Sequence, residues 1–280
     1  MIQYKFKNSN ITNFNLHEYI RLVEYVTKID KNYIFVNMDD IYLSTLQVSK
    51  LDDLLNKLYI EFVPLQYLLS TQSFFNEQYF VNENVLIPRS DSEILVETSI
   101  KYIEKYDLKN MIDMCTGSGC IGISIVKNSN ISSALLVDIS KKAIDVADKN
   151  IKLNNIQNKC RTICSDIFSN LFNLNDKYDI IVSNPPYVKK NVISTLSQYV
   201  QNEPIIALDG GVDGLEIYRN ILKQATYFLN DSGFLIFEIG YDQKQDLIYE
   251  IKKHVEYEYI ECIKDLSGND RVIVCRFHKI

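Results

Sequence analysis

Histidine is scarce in this chain: only His17, His254 and His278 occur in 280 residues. They lie far apart, so no histidine-rich ligand set suggests itself and no metal is expected. Cysteine is present without forming a framework. Cys115, Cys120, Cys160, Cys164, Cys262 and Cys275 are scattered through a chain too long to need staples, which suits reduced, mostly buried thiols. Cys160 and Cys164 alone do not make a zinc site. No segment approaches the ~18 uninterrupted apolar residues of a membrane span. The start, MIQYKFKNSNITNF, also lacks the apolar run of a signal peptide. A cytoplasmic protein without a membrane partner is therefore expected. Basic charge is thin as well, with 30 Lys and Arg against 36 Asp and Glu, a formal net charge of -6 and no basic stripe. Because nucleic-acid affinity rests on neutralising phosphates, no direct nucleic-acid partner is expected.

What is present is ordinary for a globular protein: 46% hydrophobic and 24% charged residues, enough for a full core. Residues 1 to about 75 read as helical. Leu16, Tyr19, Ile20, Val23 and Val26 form one apolar stripe, and Leu51, Leu54, Leu55, Leu58 and Tyr59 form another. Ser49 with Asp52 resembles a capping-box start for the second helix. The pattern then changes at QYFVNENVLIPRSDSE, where apolar runs flank a polar NEN. A hairpin or extended linker over residues 76–95 is expected before the rest of the chain, 96–280.

From about residue 108 strands and helices alternate. NMIDM, ALLVDI, CRTIC, YDIIVS and GFLIFEIG read as strands. CIGISIVKN, SKKAIDVADKNIKLN and LEIYRNILKQATYFL read as helices, the second with Ala143, Ile144, Ala147 and Ile151 on one face. YEYIECI and RVIVCRF close the chain as two further strands. This order predicts an α/β fold with a mostly parallel sheet wrapped by helices and an antiparallel hairpin at its end.

Three strand ends carry chemistry. After Asp113, the turn Cys115, Thr116, Gly117, Ser118, Gly119 leads into a helix, and glycines there let a backbone approach a ligand closely. A glycine turn alone is a weak signal. At the next strand end Asp138 can accept from both ribose hydroxyls of a nucleoside, or serve with Ser140 as a helix cap. At the third, Asp166 can accept from an adenine amino group with Ile167 against the ring, or simply sit in water. A nicotinamide dinucleotide or S-adenosylmethionine would meet such a set. The turn lacks the full three-glycine dinucleotide fingerprint.

The fourth strand, YDIIVS, stops abruptly at Asn184, Pro185, Pro186 and Tyr187. Hydride transfer has no use for that tetrad, but methyl transfer to nitrogen does. A planar NH2 group is a poor nucleophile because its lone pair is delocalised. A site must accept both of its N–H bonds and aim the nitrogen. The side-chain oxygen of Asn184 and the carbonyl of Pro185 supply two acceptors on a rigid loop, Pro186 fixes φ, and Tyr187 offers a ring face. Asn184, Pro185 and Tyr187 are the expected catalytic residues, and no general base is required.

Several motifs in order, PLQYLLSTQSFF, VLIPRSDSEILVE, IDMCTGSGCI, VDIS, SNPPYV, NEPIIALDGGVDGLEIYR, FEIGYDQ and DLSGNDRV, give the chain from about Pro64 onward a family likeness. It resembles the bacterial release-factor glutamine N5-methyltransferases, also called HemK or PrmC. The resemblance implies a seven-stranded Rossmann-like methyltransferase sheet over residues 96–280, preceded by a small helical domain, 1–75, that helps dock the substrate protein. It implies S-adenosylmethionine as cofactor, a peptide chain release factor as partner, and methylation of the glutamine of its Gly-Gly-Gln motif. Asn184, Pro185, Pro186 and Tyr187 would then hold the substrate amide, with Arg89 as a further substrate contact. Cys115, Thr116, Gly117, Ser118, Gly119, Asp138, Asp166, Ile167 and Asn184 would surround the cofactor. A monomer is expected.

The tetrad alone is shared with DNA adenine N6-methyltransferases, and a ribosomal-protein glutamine methyltransferase would use the same site. A release-factor binder keeping a relic cofactor site is the non-enzymatic reading. The segments EPIIALDGGVDGL and DLSGNDR point to the glutamine-modifying branch. Arg89, Glu93, Asp209, Glu238 and Arg271 lie in family motifs, and each can equally be an internal ion pair or loop fastener. Three positions depart from the family pattern: Cys115 and Ser70 replace customary glycines, and Ser90 replaces a proline.

Overall fold

The structure, a computed structural model, describes residues 15–174 and 176–280. The chain divides into two compact units, one built from the chain through Ser70 with Ser197–Asn202, the other from Thr71–Leu196 with Glu203–Ile280.

In the helical unit, α1 (Leu16–Thr27), α2 (Lys31–Val36), α3 (Thr45–Tyr59) and α4 (Leu65–Leu69) bury Ile20, Leu22, Val23, Ile34, Leu51 and Leu55. The portion of the helical expectation that falls on residues 1–14 lies outside the described residues. Helix α3 starts earlier than the sequence reading placed it. Ser44 accepts from the Gln47 amide at 3.3 Å while the Gln47 side chain accepts from the Ser44 amide at 2.9 Å, a complete capping box. Ser49 and Asp52 are interior to the helix, because the Ser44 box caps it one turn sooner.

The second unit begins with a hairpin, β1 (Gln72–Phe74) and β2 (Glu77–Tyr79), paired Gln72 to Tyr79. Of the hairpin or extended linker expected over residues 76–95, the stretch around NEN is linker, and the hairpin lies just before it. The turn is Phe75–Asn76, both at positive φ (49° and 63°), as a two-residue hairpin turn requires. Residues 80–88 form no strand. The backbone of Phe80 pairs instead with the side chain of Asn150, which accepts from its N–H at 2.7 Å and donates to its carbonyl at 2.9 Å.

There follow α5 (Glu93–Tyr106), β3 (Asn110–Met114), α6 (Cys120–Asn128), β4 (Ser133–Asp138), α7 (Lys141–Leu153), β5 (Cys160–Cys164) and β6 (Tyr178–Ser183). The short helix α8 (Gln198–Gln201) falls in the helical unit, and α9 (Glu216–Ala225), β7 (Leu229–Glu238), α10 (Lys244–Ile251), β8 (Tyr257–Lys264) and β9 (Asp270–Phe277) complete the chain. Among the described residues seven strands make one sheet in the order β5-β4-β3-β6-β7-β9-β8, with β9 antiparallel to β7 and to β8. The other neighbours run parallel. Alternate residues of the central strands feed two cores, Ile112 and Met114 to one face and Met111 to the other, so both faces are covered by helices.

Strand order reverses between β3 and β6, and the crevice outside the carboxyl ends of such strands is where open α/β sheets bind ligands. Register sets the level. Met114 pairs with Val137 and with Ser183, and Val137 with Ile163. The strand ends carrying Cys115, Asp138 and Asn184 thus emerge side by side.

Candidate active site

The glycine turn after β3 is bent back on itself by its own backbone. The Thr116 amide donates to the Val137 carbonyl at 2.9 Å, and the Gly119 amide to the Thr116 carbonyl at 2.9 Å. Gly119 (φ 82°) begins α6 and could not carry a Cβ without meeting the Ile123 side chain at 3.0 Å. At Gly117 (φ 55°) a Cβ would meet nothing within 4 Å, so this residue faces open space. Cys115 adopts the same left-handed region (φ 62°) without being glycine, which costs about 1 kcal/mol of backbone strain. Its side chain packs against the core, and burial, then the neighbouring Asp138, pushes its thiol up.

Asp113 lies beneath the turn, fully buried. Its Oδ2 accepts from the Thr116 hydroxyl at 2.5 Å and the Gly122 amide at 2.9 Å, whereas its Oδ1 is buried without a partner. Burial pushes this carboxyl up to about 7, against those two hydrogen bonds. Asp138 ties the turn to the next strand, Oδ2 accepting from the Gly117 amide at 2.8 Å and Oδ1 from the Ser140 amide at 2.9 Å. Ser140 itself caps α7, so capping does not use up the Asp138 carboxylate. A carboxylate offers about four lone-pair directions, which leaves Asp138 acceptor capacity toward the cleft. Its carboxyl is also held up by burial, opposed by the backbone N–H groups.

Beyond β6, the tetrad is fastened from behind. The Asn184 amide nitrogen donates to the Ser92 hydroxyl at 3.2 Å, and the Val188 amide to the Leu208 carbonyl at 2.9 Å. The Gly210 amide returns a bond to the Val188 carbonyl at 2.9 Å. These contacts need glycine: a Cβ on Gly210 would lie 2.8 Å from the Pro186 carbonyl oxygen, and one on Gly214 (φ 78°) 2.5 Å from that of Tyr187. Tyr187 packs its half-buried ring against the core, and burial, then Glu238, pushes its phenol up to about 12.

One cleft of about 540 Å³ collects most of the expected site residues. Arg89, Cys115, Thr116, Gly117, Ser118, Asp138, Asp166, Ile167, Asn184 and Pro186 line it. Gly119, Pro185 and Tyr187 are not in its lining; Gly119 and Pro185 are buried, and Pro185 follows directly on the lining residue Asn184. Arg89 pairs with Glu203, whose other oxygen accepts from the Ile87 amide at 2.9 Å. With Glu203 at 2% side-chain exposure and Arg89 at 41%, the arginine neutralises a buried carboxylate and keeps one side open to the cleft. Three other motif residues are fasteners here: Glu93 accepts from the Phe75 amide at 3.0 Å, Asp209 from the Gly211 amide at 2.9 Å, and Arg271 is bound to Asp265 at 2.9 Å.

Sequence reasoning missed Ser92, Gln243, Glu203 and the apolar cleft residues Ile205 and Ile206 as parts of this region. All five fall inside the family motifs quoted above, but their residue types and spacing assign them no role, which for Ser92, Gln243 and Glu203 comes from a partner distant in sequence. Among the described residues no group of three or more His, Cys, Asp or Glu side chains could hold a metal ion.

A family profile described as Methyltransferase small domain matches residues 90–203. A release factor glutamine methyltransferase from Clostridium botulinum is 40% identical over 215 residues, covering 76% of each chain. One from Fusobacterium nucleatum is 37% identical, covering 97% of this chain and 80% of its own. In fold, a ribosomal protein L11 methylase from Lactobacillus delbrueckii subsp. bulgaricus aligns with a TM-score of 0.51 at 20% identity, over 74% of this chain and 89% of that one. With relatives this similar over this much of their length, the chain belongs to the release factor glutamine methyltransferase family.

Proposed function

We propose that the protein transfers a methyl group from S-adenosylmethionine to the side-chain amide nitrogen of the glutamine in the Gly-Gly-Gln motif of peptide chain release factors. One observation carries the reading: Asp138, suited to a nucleoside, and Asn184, suited to a planar NH2 group, line the same cleft.

The residues fit such a cofactor. Asp138 keeps acceptor capacity for ribose hydroxyls, Gly117 borders open space and would receive the amino-acid end, and Asp166 with Ile167, in the lining of the same cleft, would hold the adenine. When bound, S-adenosylmethionine would supply the electrophilic methyl group and leave as S-adenosylhomocysteine, the amide nitrogen giving up one proton to water. The chain's own part is positioning. Asn184 Oδ1 and the Pro185 carbonyl accept the two N–H bonds of the glutamine amide and aim its nitrogen, and Tyr187 braces the loop. The Arg89 guanidinium, open on one side, is assigned to contact the substrate. Leaving one acceptor unmatched in a desolvated site costs about 1 to 3 kcal/mol, or about ten- to a hundred-fold in rate. The helical unit is assigned to dock the release factor, whose work in translation makes this a cytoplasmic enzyme.

The test is incubation with methyl-labelled cofactor and a purified release factor, followed by mass spectrometry of the Gly-Gly-Gln peptide. The expected result is one added methyl on the glutamine. Label on a ribosomal protein or on DNA instead, with none on this peptide, would overturn the assignment.

A further inference from the structure

Sheet register places a buried carboxylate beside the tetrad. Val182 of β6 pairs with Ile236 of β7, and both side chains enter the same core. Two residues further along each strand are Asn184 and Glu238. By the period of two they share that face, at the neighbouring-strand spacing of about 5 Å. Glu238 is 2% exposed, and its Oε2 is buried without a hydrogen-bond partner. Ser92 is 3% exposed and takes the Asn184 Nδ2 proton on its hydroxyl oxygen at 3.2 Å. The charged or titratable groups that face Glu238 are Arg271 from β9, Asp91 from the turn before α5, Tyr187 from the tetrad, Cys120 from α6 and Tyr218 from α9.

A serine hydroxyl can donate or accept, so alone it does not choose which end of an amide faces it. An ionised carboxylate only accepts. With Glu238 drawing the hydroxyl proton, Ser92 has only lone pairs to offer Asn184, and the amide must turn its NH2 group inward and its oxygen outward. We propose that Glu238 is a positioning residue for methyl transfer: acting through Ser92, it holds the Asn184 amide with its oxygen toward the cleft. This rests on the methyl-transfer reading of the tetrad. It also ties the orientation to charge. Burial pushes the Glu238 carboxyl up to about 7, against the stabilising pull of Ser92, Arg271 and the Asn184 side chain itself. Below that pH a protonated carboxyl can donate, and the serine is released to present either end.

The experiment compares Glu238→Gln, Ser92→Ala, Ser92→Thr and Asn184→Ala in the full-length enzyme with a purified release factor. It measures kcat and KM across about pH 6 to 9, with cofactor affinity by calorimetry. Glu238→Gln is expected to lower kcat about ten- to a hundred-fold while cofactor affinity holds, and to abolish the acid-side fall of kcat. Ser92→Ala, which leaves the carboxylate in place, is expected to show the same rate loss, and Ser92→Thr to recover most of it. The proposal is overturned if Glu238→Gln keeps the wild-type kcat and acid limb, or if it loses cofactor affinity and kcat together. Should that variant fail to fold, an unchanged kcat in Ser92→Ala overturns it as well. A fully active Asn184→Ala sinks the reading of the tetrad itself, whereas an inactive Asn184→Ala beside normal Glu238→Gln and Ser92→Ala sinks only the role of Glu238.

Discussion

Gln243 donates to the carbonyl of Tyr187 at 3.1 Å, and its amide is 3% exposed. The same nitrogen donates to the Gly214 carbonyl at 3.1 Å, and its oxygen accepts from the Gly240 amide at 2.9 Å. One side chain thereby ties together the tetrad, the glycine-rich loop before α9 and the end of β7. Gln243→Leu keeps the volume and removes all three bonds. It should lower unfolding free energy by about 2 kcal/mol or more in urea titrations and lower kcat with little change in cofactor affinity. An unaltered kcat would mean that the tetrad holds its shape without this clamp.

Gly214 tests the same clamp from the other side. A methyl group there would press on both the Tyr187 carbonyl and the Gln243 amide, at 2.5 and 2.6 Å, on a backbone already at positive φ. Gly214→Ala should cost about 1 to 3 kcal/mol and displace the tetrad loop. Thermal unfolding and kcat should both fall; a variant as stable and active as wild type would contradict the close approach.

Asp138 separates binding from turnover. Asp138→Ala removes the acceptor assigned to ribose and also strands the Gly117 amide, which it receives at 2.8 Å. Cofactor affinity should drop about ten- to a hundred-fold. Asn184→Ala should instead leave affinity within about threefold and suppress kcat, a split that calorimetry and steady-state rates resolve.

The pH dependence of stability follows from two carboxyls. Burial raises Asp113 and Glu238 each to about 7 in the folded protein. Unfolded, they titrate near about 4. Between those values the folded state binds more protons, so stability declines as pH rises from about 4 to about 7 and levels off above. The unfolding free energy from urea titrations should thus be higher at about pH 6 than at about pH 8, by on the order of 1 kcal/mol per group, and Asp113→Asn or Glu238→Gln should each flatten the slope. Catalysis and stability then pull in opposite directions at Glu238. A midpoint that climbs with pH over this interval would refute the burial argument.

In the helical unit, Ser44→Ala removes half of the capping box of α3 and should cost about 1 kcal/mol, seen as a lower unfolding midpoint. Ser49→Ala, interior to the same helix, should change little. Equal losses would restore the later helix start that the sequence suggested.

How far the residues alone could be read follows from how local each signal is. Strands such as Tyr178–Ser183 and helices such as Cys120–Asn128 stood out because their apolar periodicity is a property of consecutive residues. The hairpin at Gln72–Tyr79 did not, because its turn places Phe75, a residue with no turn preference, in a left-handed conformation. Asp138, Asn184 and the glycine turn were legible as strand ends carrying polar groups. Ser92, Glu203 and Gln243 were not. Their roles come from partners across the sheet, and the Arg89 to Glu203 pairing spans 114 positions.

The segment Ser197–Asn202 belongs to the helical unit although the chain on either side belongs to the sheet unit. Within the helical unit Tyr199 meets the Phe62 ring edge-on at 5.6 Å, and the Asn202 amide donates to the carbonyls of Glu61 and Phe62 at 3.0 and 2.9 Å. The helical unit is thus sewn from two separate lengths of chain. Cutting the gene at Ser70 would leave a stitch of six residues behind, stripped of its ring partner and its carbonyls. A catalytic fragment is better made by also replacing that stitch with a short polar linker.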